Sequence, residues 1–349
     1  MQKQDFPMLT RLDTWGVITV TGPDAASFLH NQLTNNVQSL AISTVGQIAP
    51  VHTTHRFSGY CSAKGRLLAS FWITRQQVKA LGQEGLVDQF TLLVSADLAT
   101  TIAKKLSMYV LRSQVKVENQ SAQKALYGYL SSHDSHATDI AAATADNASH
   151  DSRLQAIVGL AHCVVSQLPT VQIENQMIER HVVILPQEQE ADMHSILSPS
   201  EDAALSWQEL EVMSAIPRIT ENTVEQFVPQ MVNMESIQGV DFKKGCYPGQ
   251  EIVARSQYRG TIKRRLQLAQ VSSEDSPHIG QELFHSADPE QPCGMVVLVG
   301  PKQTDKAHAT YHLQVECKLD ALESGSIHLA SPDEPVLKCL ALPYTLIEI

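Results

Sequence analysis

Cys246 is the residue of this chain best placed to do chemistry, because of its surroundings in Phe242-Lys243-Lys244-Gly245-Cys246-Tyr247-Pro248-Gly249-Gln250-Glu251. Tyr247-Pro248-Gly249-Gln250 has the make-up of a type II turn, Pro fixing φ at the second position and Gly supplying positive φ at the third. Gly245 frees the backbone on the other side, which puts the cysteine in a loop. A nearby positive charge favours thiolate over thiol, so Lys244 reads as the electrostatic activator of a reactive Cys246. Downstream, Arg255, Arg259, Lys263, Arg264 and Arg265 complete seven basic side chains against one acid, Glu251, within residues 243–265, in a chain of formal charge −11. Arginine forks grip carboxylates and phosphates, so this local reversal of sign suits an anionic ligand. The competing reading is a buried, inert cysteine beside a solvated basic strand. The lysines, glycines, turn and basic run together favour the functional one. Histidines offer less. His52-Thr53-Thr54-His55 lacks both a third ligand and the glutamate of a zinc motif. His133, His136 and His150 fall in a Ser-, Ala-, Asp- and Thr-rich stretch that reads as an exposed loop.

Lys244 to Glu251, followed by Val253-Ala254-Arg255 and Tyr258-Arg259-Gly260, resembles the K-G-C-Y-x-G-Q-E signature of the YgfZ family. The match is long and ungapped. It extends to a strand, G-x-D and helix near the amino terminus, to Pro229-Gln230 and Asn233, and to the closing Pro343-Tyr344. Members of that family bind folate and are related in fold to the T protein (aminomethyltransferase) of the glycine cleavage system. The resemblance therefore implies tetrahydrofolate, or a one-carbon derivative, as cofactor. It implies Trp15, in Leu12-Asp13-Thr14-Trp15, and Trp207 as folate-contacting tryptophans, since an indole face stacks on a flat heterocycle. Tyr247, Gln250, Glu251, Arg255 and Arg259 are implied as further ligand-binding or loop-shaping residues.

Two departures from the relatives stand out. The aminomethyltransferases carry paired aspartates where this chain, aligned from Gly65, has Ala69 and Ser70. Without that carboxylate an aminomethyl transfer lacks an obvious proton handler. Relatives also read E-A-G-x-P where this chain has Met213-Ser214-Ala215-Ile216-Pro217, so a glutamate that can meet the pterin edge is replaced by Met213. The resemblance implies a folate-dependent accessory factor for iron–sulfur cluster synthesis or repair. Its client enzymes would include a tRNA methylthiotransferase, with Cys246 as nucleophile or as transient sulfur or iron ligand. A folate-dependent one-carbon transferase and a non-catalytic folate sensor are the alternatives.

The rest of the chain must position these residues. At 349 residues it exceeds what one core usually serves, so two or three domains are expected. No apolar run reaches the ~20 residues of a membrane-spanning helix. Six scattered cysteines with no zinc spacing imply reduced thiols and a cytoplasmic protein. The acidic balance argues against bulk nucleic-acid binding. Strands are expected at Gly16–Val20, from the Cys61–Leu68 turn to Ile73, and at Phe90–Val94, Leu126–Leu130 and His181–Leu185. Helices are expected after Pro23, over Asp97–Met108, over 154–168 and over Ala203–Ile216. After Arg265, short β-rich runs alternate with turn residues and predict a small antiparallel barrel or sandwich. The expected architecture is α+β and T-protein-like: two intertwined α/β regions plus a C-terminal antiparallel β-barrel around a central folate channel. The first region spans 1–120, with 218–260 packing back on it. The middle region spans 121–217, with an exposed loop at 131–152, and the barrel spans 261–349.

Overall fold

The computed structural model describes residues 5–80, 82, 84–134, 151–305, 308–331 and 333–347. His136, His150 and most of the expected 131–152 loop lie outside the described residues. The fold is mixed α/β with strands predominating. Two compact units are each assembled from separate stretches of chain: the first from 1–28, 37–56 and 72–207, the second from 29–36, 57–71 and 208–349.

The first unit is built on two sheets. One has the order β1-β8-β10-β9-β3, from β1 (Met8–Arg11), β3 (Ile48–Ala49), β8 (Lys124–Asp134), β9 (Val164–Ile173) and β10 (Gln176–Pro186). Its core, including Leu9, Tyr127, Tyr129, Val183 and Leu185, is closed by α3 (Ser152–Val158) and α4 (Glu190–Ile196) through Leu154, Ile157 and Met193. The other sheet has the order β4-β5-β6-β2-β7, from β2 (Trp15–Thr21), β4 (His55–Cys61), β5 (Leu67–Lys79), β6 (Leu86–Ser95) and β7 (Lys116–Asn119), of which Phe57–Cys61 and Leu67–Phe71 are counted with the second unit. Helix α2 (Ala96–Met108) buries Leu98, Ala99, Ile102 and Leu106, the spacing its sequence displays. It approaches so closely that a Cβ on Gly16 would stand 2.8 Å from the Ala99 Cβ.

Helix α1 (Ala25–His30) stops before Leu33, which instead bridges to Tyr60. The expected helix over 154–168 is corrected. α3 ends at Val158 on Gly159, the chain turns at His162 with φ +56°, and the β-branched pair Val164-Val165 opens β9.

The second unit carries α5 (Glu201–Met213) from Gln208 onward, α6 (Gln250–Tyr258) and a seven-stranded sheet. The sheet comprises β11 (Arg264–Ser272), β12 (Glu282–His285), β13 (Asp288–Val299), β14 (Gln303–Asp305), β15 (His308–Lys318), β16 (Ile327–Leu329) and β17 (Lys338–Leu340). Its order is β16-β12-β13-β15-β11-β17, with β14 beside β15. The expected closed barrel is not formed. Both edge strands are only three residues long, and His328–Val336 is an isolated bridge rather than a ladder. The sheet therefore curls around Leu283, Val296, Leu313 and Val315 as a half-barrel.

Candidate functional site

In the second unit the chain from Asp241 to Gln250 runs as a loop along the end of α1. The Asp241 N–H donates to the Thr34 carbonyl at 3.0 Å, and the Asp241 carboxylate accepts from the Lys243 N–H at 2.8 Å. Lys244 points inward. It is only 9% exposed, and its ammonium donates to the carbonyls of Leu33, at 2.8 Å, and His30. Carbonyls at a helix C-terminus lack intrahelical partners and attract cations, so Lys244 fastens the loop to the end of α1. The same ammonium lies 4.7 Å from the centre of the Tyr247 ring. Burial pushes the Lys244 pKa down to about 8, opposed by the charges of Asp241 and Cys246. Cys246 thus lies within electrostatic reach of a cation that cannot swing away.

Cys246 itself is exposed and free. The other five thiols are all pushed up by burial, Cys61 and Cys163 to about 12, which makes them poor nucleophiles. The predicted type II turn follows: Gly249 has φ +78° and ψ 4°, and the Gln250 N–H donates to the Tyr247 carbonyl at 3.2 Å. Gly249 is also the N-cap of α6 and presses on the Cys61–Arg66 turn. A Cβ there would stand 2.3 Å from the Ser62 carbonyl oxygen and 2.6 Å from the Gly65 Cα. Tyr247 is buried beneath the loop, and burial raises its phenol. Gln250 donates to the Gly245 carbonyl at 3.4 Å.

Lys244, Cys246, Tyr247 and Gln250 therefore share one loop. Glu251 and Arg255, four residues apart on α6, and Arg259 at its C-cap are all exposed. Two cations of the basic run have internal partners: Arg264 forks onto Glu316 at 2.5 and 3.1 Å, and buried Arg265 pairs with buried Glu235. These two are structural.

Trp15 and Trp207 belong to the first unit. Along β2, Gly16 faces α2, so Trp15, Val17 and Thr19 alternate onto the opposite face. The Trp207 ring lies flat on Gly128 of β8, where a Cβ would meet it at 2.3 Å. Gly128 pairs with Val182, and Leu126 with Ile184, so all four positions share the face that Trp207 covers. Val17, Thr19 and Ile184 line one cleft between the two sheets. Both indoles thus belong to the strand faces that bound it, although neither lines the cleft itself. Trp207 is 3% exposed and its indole N–H is buried without a partner among the described residues, a donor with no acceptor among them.

No family model matches the chain. Among curated proteins it is 32% identical over 280 residues to the tRNA-modifying protein YgfZ of Edwardsiella ictaluri, covering 79% of this chain and 74% of that one. It is 28% identical over 348 residues to the tRNA-modifying protein YgfZ of Photobacterium profundum, covering 97% and 92%. The chain belongs to the YgfZ family. The crystal structure of the glycine cleavage system aminomethyltransferase T from Bartonella henselae shares the fold of this YgfZ chain. The TM-score is 0.56 at 15% identity, over 97% of this chain and 86% of that one.

Against that family the departures acquire structural content. Ser70 is buried, its hydroxyl donating to the Pro217 carbonyl at 3.2 Å and accepting from the Ile219 N–H at 3.0 Å. It braces the backbone, and Ala69 beside it is fully buried. Ala215 adopts φ +52°, the conformation that suits the glycine relatives carry there. Glu211, the nearest carboxylate to Met213, lies 3.5 Å from Arg218. His30 went unnoticed in the sequence. Its Nε2 stands 3.6 Å from where a Cβ of residue 245 would be, and burial, then Lys244, lower its pKa. Nothing local to His30 signals a loop more than 200 residues away. Among the described residues no cluster of His, Cys, Asp and Glu fits a metal ion, and no helix is long and apolar enough to cross a membrane.

Proposed function

We propose that this protein is a folate-binding accessory factor that supports iron–sulfur cluster synthesis or repair in client enzymes, and through them the methylthiolation of tRNA. The observation that carries the folate part is the buried indole N–H of Trp207, unpartnered among the described residues, on a strand face that also borders a cleft between two sheets. Trp15 and Trp207 would hold the pterin and aminobenzoyl rings between them, and Trp207 would donate to a pterin or amide acceptor. When bound, a tetrahydrofolate would supply a carrier for one-carbon units on its pterin and aminobenzoyl nitrogens. The thiol part is supported by Cys246, exposed on a loop whose neighbouring cation is fastened in place. Glu251, Arg255 and Arg259 are exposed on α6 and at its C-cap for acidic groups of the ligand or client. The tRNA part is supported by the printed names of the relatives. A one-carbon transferase is disfavoured, because positions 69 and 70 carry no carboxylate and the Ser70 hydroxyl is already engaged.

Titration of the purified protein with tetrahydrofolate, followed by tryptophan fluorescence, tests this reading. A saturable quench that weakens in Trp207→Phe is expected. No quench, or one that Trp207→Phe leaves unchanged, overturns the folate assignment.

A further inference from the structure

Among the described residues Leu111 is the most exposed large apolar side chain, at 87%, and Met108 and Tyr109 beside it are 67% and 48% exposed. All three lie where α2 ends and the loop to β7 begins. Single exposed apolar residues are ordinary, but three within four positions make a patch that calls for a reason. Helix α2 does not need them for its own packing, because Leu98, Ala99, Ile102, Ala103 and Leu106 already fill its buried face. The patch is a second apolar surface, at the end of the helix and open to solvent.

The loop that carries it is held in place by its backbone. The Tyr109 N–H donates to the Leu106 carbonyl at 3.0 Å, the Val110 N–H to Ser107 at 3.3 Å and the Ser113 N–H to Val110 at 2.8 Å. Further on, the Asp24 carboxylate accepts from the Gln114 N–H at 2.8 Å. Gly22 packs there so closely that a Cβ would stand 2.1 Å from the Gln114 carbonyl oxygen. Leu111 itself adopts φ +47°, a left-handed conformation uncommon for a leucine. The chain thus holds a strained leucine in water at one fixed place, where its exposure leaves little burial to offset the strain.

Charge gives the surface a sign. Between Asp97 and Glu118 there are four bases and no acid, in a chain of formal charge −11. Lys116 is paired with Glu118. The other three surround the apolar patch: exposed Lys104 one turn before Met108, half-buried Lys105 beside it, and exposed Arg112 after Leu111. None of these three has a carboxylate partner among the described residues. Met, Tyr and Arg are also the residue types enriched where protein interfaces are anchored. Other occupants fit less well. A second copy of this chain, docked patch to patch, would bring cations onto cations. RNA would find one stacking ring and leave Met108 and Leu111 idle. An anionic membrane would meet the net negative charge of the rest of the molecule.

We propose that the end of α2 and the loop after it form a docking surface for an acidic protein partner. Leu111, with Met108 and Tyr109, would enter an apolar recess on that partner, while carboxylates around the recess would meet Lys104, Lys105 and Arg112. The fixed loop lowers the ordering cost of binding, and the charges speed encounter and select against basic partners. This surface is independent of both the folate and the Cys246 readings, so it stands or falls separately from them.

The test places the photo-reactive residue p-benzoylphenylalanine at position 111 of the full-length protein, and in a parallel strain at exposed Val336 as a control. After irradiation of living cells, crosslinked peptides are identified by mass spectrometry. The expected result is a protein partner joined at 111 and not at 336, through a peptide bearing several Asp or Glu residues. That crosslink should disappear when Lys104→Glu/Arg112→Glu is added, in a protein whose urea midpoint is unchanged. With the partner then purified, Leu111→Ser should weaken binding by at least about tenfold. Raising salt from about 50 mM to about 500 mM should weaken it further. No crosslink specific to 111, or one to a second copy of the chain, to RNA or to lipid, would overturn the proposal. So would a partner whose crosslink survives the charge reversal, or whose affinity Leu111→Ser leaves unchanged.

Discussion

Lys244 is the residue on which the site turns. Its ammonium is fastened to two backbone carbonyls at the end of α1, and burial brings its pKa from 10.5 down to about 8. Between those two values the unfolded chain still holds the proton that the folded chain has released. Stability should therefore rise with pH across that window, and below about pH 8 the buried charge imposes a constant desolvation cost. Lys244→Met should flatten the rise, measured as the difference in urea midpoint between pH 7.5 and pH 10. The same substitution removes the cation beside Cys246, so iodoacetamide should alkylate that thiol several-fold more slowly at pH 7. A steep rise that survives the substitution would show that Lys244 is not the group responsible. Cys246 and Lys244 were both legible in the sequence as neighbours, because charge and turn chemistry act locally there. The carbonyls of His30 and Leu33 were not, since they meet Lys244 only through the fold.

At the scale of elements, the loop is aimed by the contact between Gly249 and the Cys61–Arg66 turn. Gly249 needs positive φ for the type II turn and lacks room for a Cβ beside Ser62 and Gly65. Gly249→Ala should cost about 2–4 kcal/mol, combining left-handed strain with backbone overlap. The readout is the chemical denaturation midpoint, and a loss under about 0.5 kcal/mol would contradict the contact. The turn could be read from Pro248 and Gly249 alone. The helix it caps was hidden, because the basic residues at 255, 259 and 263–265 read as one run suited to an anionic ligand. In the structure Arg255 and Arg259 stay exposed on α6, while Arg264 and Arg265 turn inward to Glu316 and Glu235. Composition counts charges, but only packing pairs them. The stretch 154–168 failed for a different reason. Apolar residues at Leu154, Ile157, Val158, Val164 and Val165 fit a helical stripe until Gly159 and the left-handed His162 divide them between α3 and β9.

At the scale of the whole molecule, the long central strands β2, β5, β6, β8 and β10 were legible, whereas β1, β4, β7, β9 and the closure of the last sheet were not. The runs after Arg265 became strands of a curled half-barrel, because closing a barrel depends on edge-strand length and register rather than on alternation. The aromatic positions at 15 and 207 were singled out as expected folate contacts only through resemblance; composition alone reads an indole as core. The cleft between the two sheets was not legible at all, since its lining comes from stretches as far apart as Val17, Gln89 and Ile184. The proposed function rests on one sulfur. The most direct test replaces the gene with one encoding Cys246→Ala and measures methylthiolated tRNA by mass spectrometry, alongside tetrahydrofolate affinity of the purified variant. Methylthiolation should fall to the level of a gene deletion while folate affinity changes by less than about twofold; a Cys246→Ala strain with fully methylthiolated tRNA would contradict the account.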